Sequence, residues 1–287
     1  MFRCTCLLPA LLIMGLAAPA QASPALWEVR DGDSALWFFG SFHILPEGTA
    51  WRTPLFDATF AEADKVVFET DIRPQAIAEM GAKAFAQGIY VDGTLLTDVI
   101  DAALEEQLRA QMARMNMPVG TVLAMRPWMA ANTISVGALT ANGFGAQGVE
   151  FVLEPELAAE RMVFLETGDQ QLDVFARAPE DEQIAMLAAT LEQMDDMSKV
   201  MNKMVGYWVS GTPEGLLKLV EVEMDGFEDA FVERLLFERN RNWMAPLERM
   251  LANDEQNLVV VGAGHLVGDG NVLDLLSAAG YSVERIQ

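Results

Sequence analysis

Two stretches of this chain share one grammar. Near the C-terminus an apolar, β-branched run, Val259-Val260-Val261, continues into Gly262-Ala263-Gly264-His265-Leu266. Near the N-terminus Ala35-Leu36-Trp37-Phe38-Phe39 continues into Gly40-Ser41-Phe42-His43. The chain contains two histidines, and each stands three residues past a glycine that ends an apolar run. Short apolar runs bounded by turn residues read as buried strands. In open α/β sheets ligands sit beyond the carboxyl ends of the strands, so a fold that pairs these two strands also pairs their histidines. The rest of the chain is read as the machinery that brings the two ends together.

The other elements follow from local signals. Residues 25–30 and 35–39 flank Asp31-Gly32-Asp33 and form a hairpin. Thr53-Pro54 caps and starts a helix to about residue 63. Residues 65–68 form a strand ending in Glu69-Thr70-Asp71, and Pro74 opens a helix to about residue 87. Helical spacing recurs over 98–115 and over 121–139, the latter kinked or broken near Pro127. Residues 148–161 read as a helix leading into a strand at 162–165, which ends in Glu166-Thr167-Gly168. From 169 to 250 nothing strand-like occurs. This segment reads as several helices with breaks near Pro179, Gly211-Thr212-Pro213 and Pro246. A short helix over 271–279 and a strand over 281–286 close the chain. The expectation is an α/β (α+β) fold: a mixed central sheet flanked by helices, with a large helical segment between the two strand-Gly-x-x-His units.

Residues 1–22 read as a secretory signal peptide: Arg3, an apolar core over 7–18, and the small-x-small site Ala20-Gln21-Ala22. The apolar stretch is too short for a membrane span. The expectation is cleavage after Ala22, a periplasmic or secreted product without a stable membrane anchor, and one domain over 23–287. Cys4 and Cys6, the two cysteines of the chain, leave with the signal, so no disulfide can hold the mature core. The formal net charge of −23 argues against nucleic acid and anionic membrane surfaces as partners, since both select basic patches.

Four predicted strands therefore end near a titratable residue: His43, Glu69, Glu166 and His265. Neutral imidazole is a metal ligand and a base near neutral pH. Carboxylates beside it can complete a metal site, orient the ring or exchange protons. Two His and one or two carboxylates suffice for Mn²⁺, Co²⁺ or Zn²⁺ with an open position for water. The same residues are also what two capping or core histidines and two first-solvated glutamates look like. Glu69 is preferred over Glu166, and Glu150 is read as a helix-start carboxylate facing the helix dipole. Arg126-Pro127-Trp128 and Glu238-Arg239-Asn240-Arg241-Asn242 offer arginines for an oxyanion, or salt bridges between elements. Ser41 and His43 lie too close in sequence to face one another as a serine dyad. No phosphate loop and no dinucleotide fingerprint is present.

The ordered set of motifs resembles the TraB/GumN family, related to the Tiki metalloproteases and more distantly to the erythromycin-esterase and ChaN-like haem-uptake proteins. The residues that carry the resemblance are Gly40-Ser41-Phe42-His43-Ile44-Leu45-Pro46, Phe68-Glu69, Arg126-Pro127-Trp128, Gly148-Val149-Glu150, Phe164-Leu165-Glu166-Thr167 with Gln171-Leu172, Glu238-Arg239-Asn240 and Val261-Gly262-Ala263-Gly264-His265-Leu266. The resemblance implies a mixed sheet with both Gly-x-x-His motifs in one cleft. It also implies a metal-dependent peptidase site at His43, Glu69 and His265 with Arg239 in support. The resulting expectation is a periplasmic hydrolase with a divalent metal (Mn, Co or Zn) on His43, Glu69 and His265. Glu69 or Glu166 would be the base and Arg239 the oxyanion donor, acting on a peptide or small-molecule substrate. Two alternatives stand beside it: a haem or metal-complex binding protein, and a non-catalytic accessory factor for an envelope-assembly partner.

Overall fold

The computed structural model describes residues 22–145 and 148–287. The signal-peptide reading of 1–22 falls, apart from Ala22, outside them. Among the described residues eight strands are formed: β1 Leu26–Asp31, β2 Ser34–Ser41, β3 Leu45–Pro46, β4 Lys65–Phe68, β5 Phe144–Gly145, β6 Met162–Phe164, β7 Gln256–Gly262 and β8 Ser282–Arg285. Six of them make one sheet in the order β6-β4-β7-β2-β1-β8, and β3 pairs with β5 apart from it. β1 and β2 form the expected hairpin, closing at Asp31↔Ser34, with Gly32 at φ +59° supplying the left-handed turn. β2, β7, β4 and β6 run parallel to one another, so their carboxyl ends lie along one edge.

Parallel strands need crossovers, and helices supply them on both faces. Every residue of β2 is buried, as are five consecutive residues of β7. The pleat sends alternate side chains to opposite layers. Trp37, Phe39, Leu258 and Val260 join Phe56, Phe60, Val205 and Trp208 on one face. Leu36, Phe38, Val259 and Val261 join Trp243, Leu247 and Leu276 on the other. Each such fully buried aromatic or branched side chain contributes about 1.5–3 kcal/mol of transfer free energy. A third cluster lies wholly among helices and includes Leu108, Met112, Trp128, Ile134, Leu187 and Phe231.

Three local expectations are corrected. Pro127 does not kink a long helix; it occupies the first turn of helix Pro127–Ala141, where its missing N–H costs nothing, after a 3₁₀ turn at Val119–Thr121. Residues 148–161 form a helix of only five residues, Val149–Leu153, then 3₁₀ turns at Glu154–Glu156 and Ala159–Arg161; Pro155 stops the longer helix. Pro246 does not break its segment but lies inside helix Glu238–Ala252. Thr53 caps helix Pro54–Glu62 as expected, accepting from Phe56 N at 3.1 Å. No described helix is long and apolar enough to cross a membrane.

Candidate functional site at the carboxyl edge of the parallel strands

The strand order lays the four titratable ends side by side: Glu166 after β6, Glu69 after β4, His265 after β7 and His43 after β2. Gly262 is opposite Ser41 in the β2–β7 register, and Phe68 is opposite both Val260 and Phe164. Three of them, Glu69, His265 and His43, converge on Gly262. A Cβ built there would lie 3.2 Å from Glu69 Oε1, 3.6 Å from His265 Cδ2 and 4.0 Å from His43 Nε2. The backbone at Gly262 has φ −50°, so the glycine serves close approach and not handedness. Its N–H donates to Glu69 Oε1 at 2.6 Å.

Glu69 is buried and fully engaged. Oε2 accepts from Arg239 Nη2 at 2.5 Å and from Gln171 Nε2 at 3.1 Å. Burial alone would push the Glu69 carboxyl up. The Arg239 charge, the two histidines and the Gly262 N–H outweigh it and hold Glu69 at about 2. Arg239 also donates through Nε (3.1 Å) and Nη2 (2.7 Å) to Glu166, whose side chain is 6% exposed. Its Nη1 reaches Leu235 O at 3.1 Å and His265 Nε2 at 3.0 Å. Every N–H of the guanidinium has an acceptor. Arg239 further lies 4.9 Å from the centroid of Trp243, whose indole N–H donates to Glu166 at 3.2 Å. Glu166 is pushed up by burial in spite of these donors.

His265 is 4% exposed and held at both nitrogens. Asn240 Oδ1 lies 2.6 Å from Nδ1, which makes Nδ1 the protonated nitrogen and leaves the Nε2 lone pair to accept from Arg239. Burial, with the positive charges of Arg239 and His43 nearby, lowers His265 to about 3, so the ring is neutral across the physiological range. Asn240 is the partner that tautomer choice depends on; it was visible in the sequence as the neighbour of Arg239 but had no role assigned.

His43 differs in setting. Its ring is 59% exposed at the mouth of the cleft, and Nδ1 lies 3.0 Å from Glu150 Oε1. The same oxygen accepts from Ser41 Oγ. Glu150 is 4% exposed, and its charge raises His43 to about 9, with solvent around the ring screening part of that interaction. Gly148 permits this: a Cβ there would meet the His43 carbonyl oxygen at 2.1 Å, and Val149 N donates to Phe42 O at 3.1 Å. Glu150 stands in the first turn of its helix, as expected, and its carboxylate also reaches His43, a role the sequence reading did not assign. A carboxylate between glycine and an apolar helix is the only sequence signal for that role. Ser41 Oγ donates to Glu150, the carboxylate it shares with His43. Arg126 lies over the Tyr90 ring at 4.6 Å and is not part of the cleft wall.

Among the described residues no group of three or more His, Cys, Asp or Glu is arranged to hold a metal ion. The reason is local. His265 Nε2 accepts from Arg239, both Glu69 oxygens accept N–H donors, and a guanidinium lies within the set. As arranged, these donors do not fit a shared divalent cation, which needs free lone pairs converging at about 2 Å. What the arrangement can do unaided is proton transfer: a carboxylate-oriented imidazole presents Nε2 to a cleft of about 520 Å³ that also holds Glu69, Arg239 and His265 in its wall.

A family profile described as the TraB/PrgY/gumN family matches residues 25–285. A curated protein from Amphimedon queenslandica, named "Metalloprotease TIKI homolog", is 32% identical over 66 residues, 22% of this chain and 13% of that protein. This chain therefore aligns with only a small part of that relative's length. No solved structure matches. The profile runs from the start of β1 to the end of β8 and takes in every strand and all of the residues that converge on Gly262, so the chain belongs to the TraB/PrgY/gumN family.

Proposed function

We propose that the protein is a periplasmic hydrolase, cleaving peptide bonds at the carboxyl edge of the parallel strands. The observation that carries this reading is the Glu150–His43 pair: a buried carboxylate bonded to Nδ1 of a histidine whose Nε2 is turned towards Gly262 and the cleft. Such a pair acts as a general base. His43 Nε2 removes a proton from a water whose oxygen attacks the substrate carbonyl carbon. The imidazolium then returns that proton to the leaving amine as the carbon–nitrogen bond breaks. Glu69, ionised and near His43, stabilises the imidazolium formed in between. Arg239 has no N–H left over for an oxyanion, and its part is positioning: it fixes Glu69, Glu166 and the lone pair of His265. The name of the Amphimedon queenslandica relative supports peptides as the substrate class, and the N-terminal signal pattern supports the periplasm.

The test is hydrolysis of a mixed peptide library by the purified mature chain beside His43→Gln. Loss of roughly 10²–10⁴-fold in kcat in the variant, with unchanged folding, is the expected result. Wild-type turnover in His43→Gln would end this assignment.

A metal-dependent form of the same reading has one support, the relative's printed name. It would use His43, Glu69 and His265 as ligands and require Arg239 to release His265 Nε2. Metal content of wild type beside His43→Ala and His265→Ala decides it.

A further inference from the structure

We propose that the cleft selects substrates bearing an uncharged aromatic or long aliphatic group next to the bond that is attacked. This rests on the hydrolase reading and specifies its substrate. The observation is the division of the cleft wall. Its ionisable residues, His43, Glu69, Arg239 and His265, all stand at the sheet edge. Away from that edge the wall is mainly apolar, with Met80, Ala84, Trp128, Phe175, Leu235 and Leu236 prominent and the uncharged Asn132 among them. These come from four separate elements: helices Pro74–Gly88, Pro127–Ala141 and Gly168–Ala176, and the π-helical turn Glu233–Phe237.

Several facts argue that this wall receives a ligand and does not merely line a seam. Trp128 and Phe175 stack with ring centroids 6.4 Å apart at 25°, giving a rigid aromatic floor continuous with the helical core. Leu236 reaches to the second Gly-x-x-His: a Cβ at Gly264 would lie 3.8 Å from its Cδ2. The apolar wall is therefore joined to the reacting end and forms one space with it. A volume of about 520 Å³ falls within the roughly 300–1,000 Å³ of pockets that hold small ligands.

Charge decides the chemical class. Of the four ionisable residues in the wall, Glu69, Arg239 and His265 are buried and satisfy one another. No charge on the apolar wall is left to pair with a charged side group, and burying an unpaired one carries a heavy desolvation penalty. An aromatic or branched aliphatic group loses water without that penalty. Each methylene that the wall accepts is worth roughly 10–200-fold in specificity.

The experiment is a series of peptides identical except at the residue donating the scissile carbonyl, set to Ala, Leu, Phe, Lys or Glu. The expected kcat/KM is roughly 100-fold higher for Phe than for Ala, with Lys and Glu below Ala. Ala84→Trp, which fills the pocket, and independently Leu236→Ala, which widens it, should each reduce the Phe-to-Ala ratio at least tenfold while circular dichroism shows the native fold. A flat series, or a preference for Lys or Glu, overturns the proposal. If no peptide in the series or in a mixed library is cleaved, the hydrolase reading fails by itself. The pocket is then tested by calorimetric binding of N-acetylphenylalanine amide: saturable binding abolished by Ala84→Trp supports the proposal, and no binding overturns it.

Discussion

Nδ1 of His43 lies 3.0 Å from Oε1 of Glu150, an exposed ring held by a buried carboxylate. The carboxylate lifts the imidazole from its ordinary 6.5 to about 9, so the ring is protonated until the pH approaches that value. A base that must first lose this proton gives a rate that climbs as pH rises through about 9. Glu150→Gln keeps the hydrogen-bonding shape and removes the charge, so the climb should move down towards 6.5 and kcat should fall. Profiles of kcat/KM against pH for the two proteins check this; superimposable alkaline limbs would refute it. The pair also contributes to stability. That contribution is fully present below 6.5 and disappears as pH rises through about 9. On the acid side it is lost as Glu150, itself lowered below its ordinary 4.5, takes up a proton. With the ring more than half exposed, its size in thermal melts should be small.

Gly262→Ala tests the convergence point directly. The backbone there tolerates any residue, so the fold should survive. The added methyl would sit 3.2 Å from Glu69 Oε1, inside the ordinary contact distance, and 4.0 Å from His43 Nε2. It must displace the carboxylate or the ring by a fraction of an ångström. Displacements of that kind cost on the order of 10² in rate when the geometry is reactive. The expected result is an unchanged melting temperature within a few degrees and a fall in kcat of that order. Full activity in Gly262→Ala would mean that the convergence has no part in turnover.

The strand ends were legible in the sequence because burial of a strand on both faces writes itself as a continuous apolar run, and glycine marks where it stops. That was enough to bring His43, Glu69, Glu166 and His265 to one edge. Partner choice was not legible. Glu150 and Asn240 each sit on a helix, and a helical carboxylate or amide has the same sequence context whether it faces water or a histidine. The close packing of Gly148 on His43 sets Glu150 beside that imidazole, and Asn240 meets Nδ1 of His265 across 25 residues of chain; both are products of tertiary structure. The prolines misled for a similar reason: Pro127 and Pro246 carry the same local signal, yet one starts a helix and the other lies within one.

Chelation separates the proton-transfer chemistry from the metal-dependent form. With Arg239 donating to the His265 lone pair, elemental analysis of the purified mature chain should find divalent metal well below one ion per chain. Hydrolysis should continue in excess chelator. One ion per chain, lost in both His43→Ala and His265→Ala, would show that Arg239 gives way to a cation and that the donor set rearranges around it.

Arg239 is bonded to the carboxylates of both Glu69 and Glu166, and its removal should steepen the loss of stability with rising pH above 4.5. In the native chain Glu69 is held at about 2, below its ordinary 4.5. Its ion pair therefore stabilises the fold above pH 4.5 and is lost only as pH falls through about 2. Arg239→Met keeps the bulk of the stem but leaves Glu69 and Glu166 buried without a counter-charge, which costs about 3–5 kcal/mol at neutral pH. Both carboxyls should then titrate above 4.5 in the folded protein. A carboxyl raised by folding favours the folded state in acid, so the variant should lose stability as pH rises beyond about 4.5, more steeply than the native chain, where Glu69 adds no slope above 4.5 and Glu166 alone is raised. Urea denaturation between pH 4 and pH 8 measures both slopes. Arg239→Lys restores a charge but not the planar fork that serves Glu166, Glu69 and His265 together, and should recover only part of the loss. Parallel slopes for native chain and Arg239→Met would mean that Glu69 and Glu166 find water in the folded state and do not depend on the guanidinium.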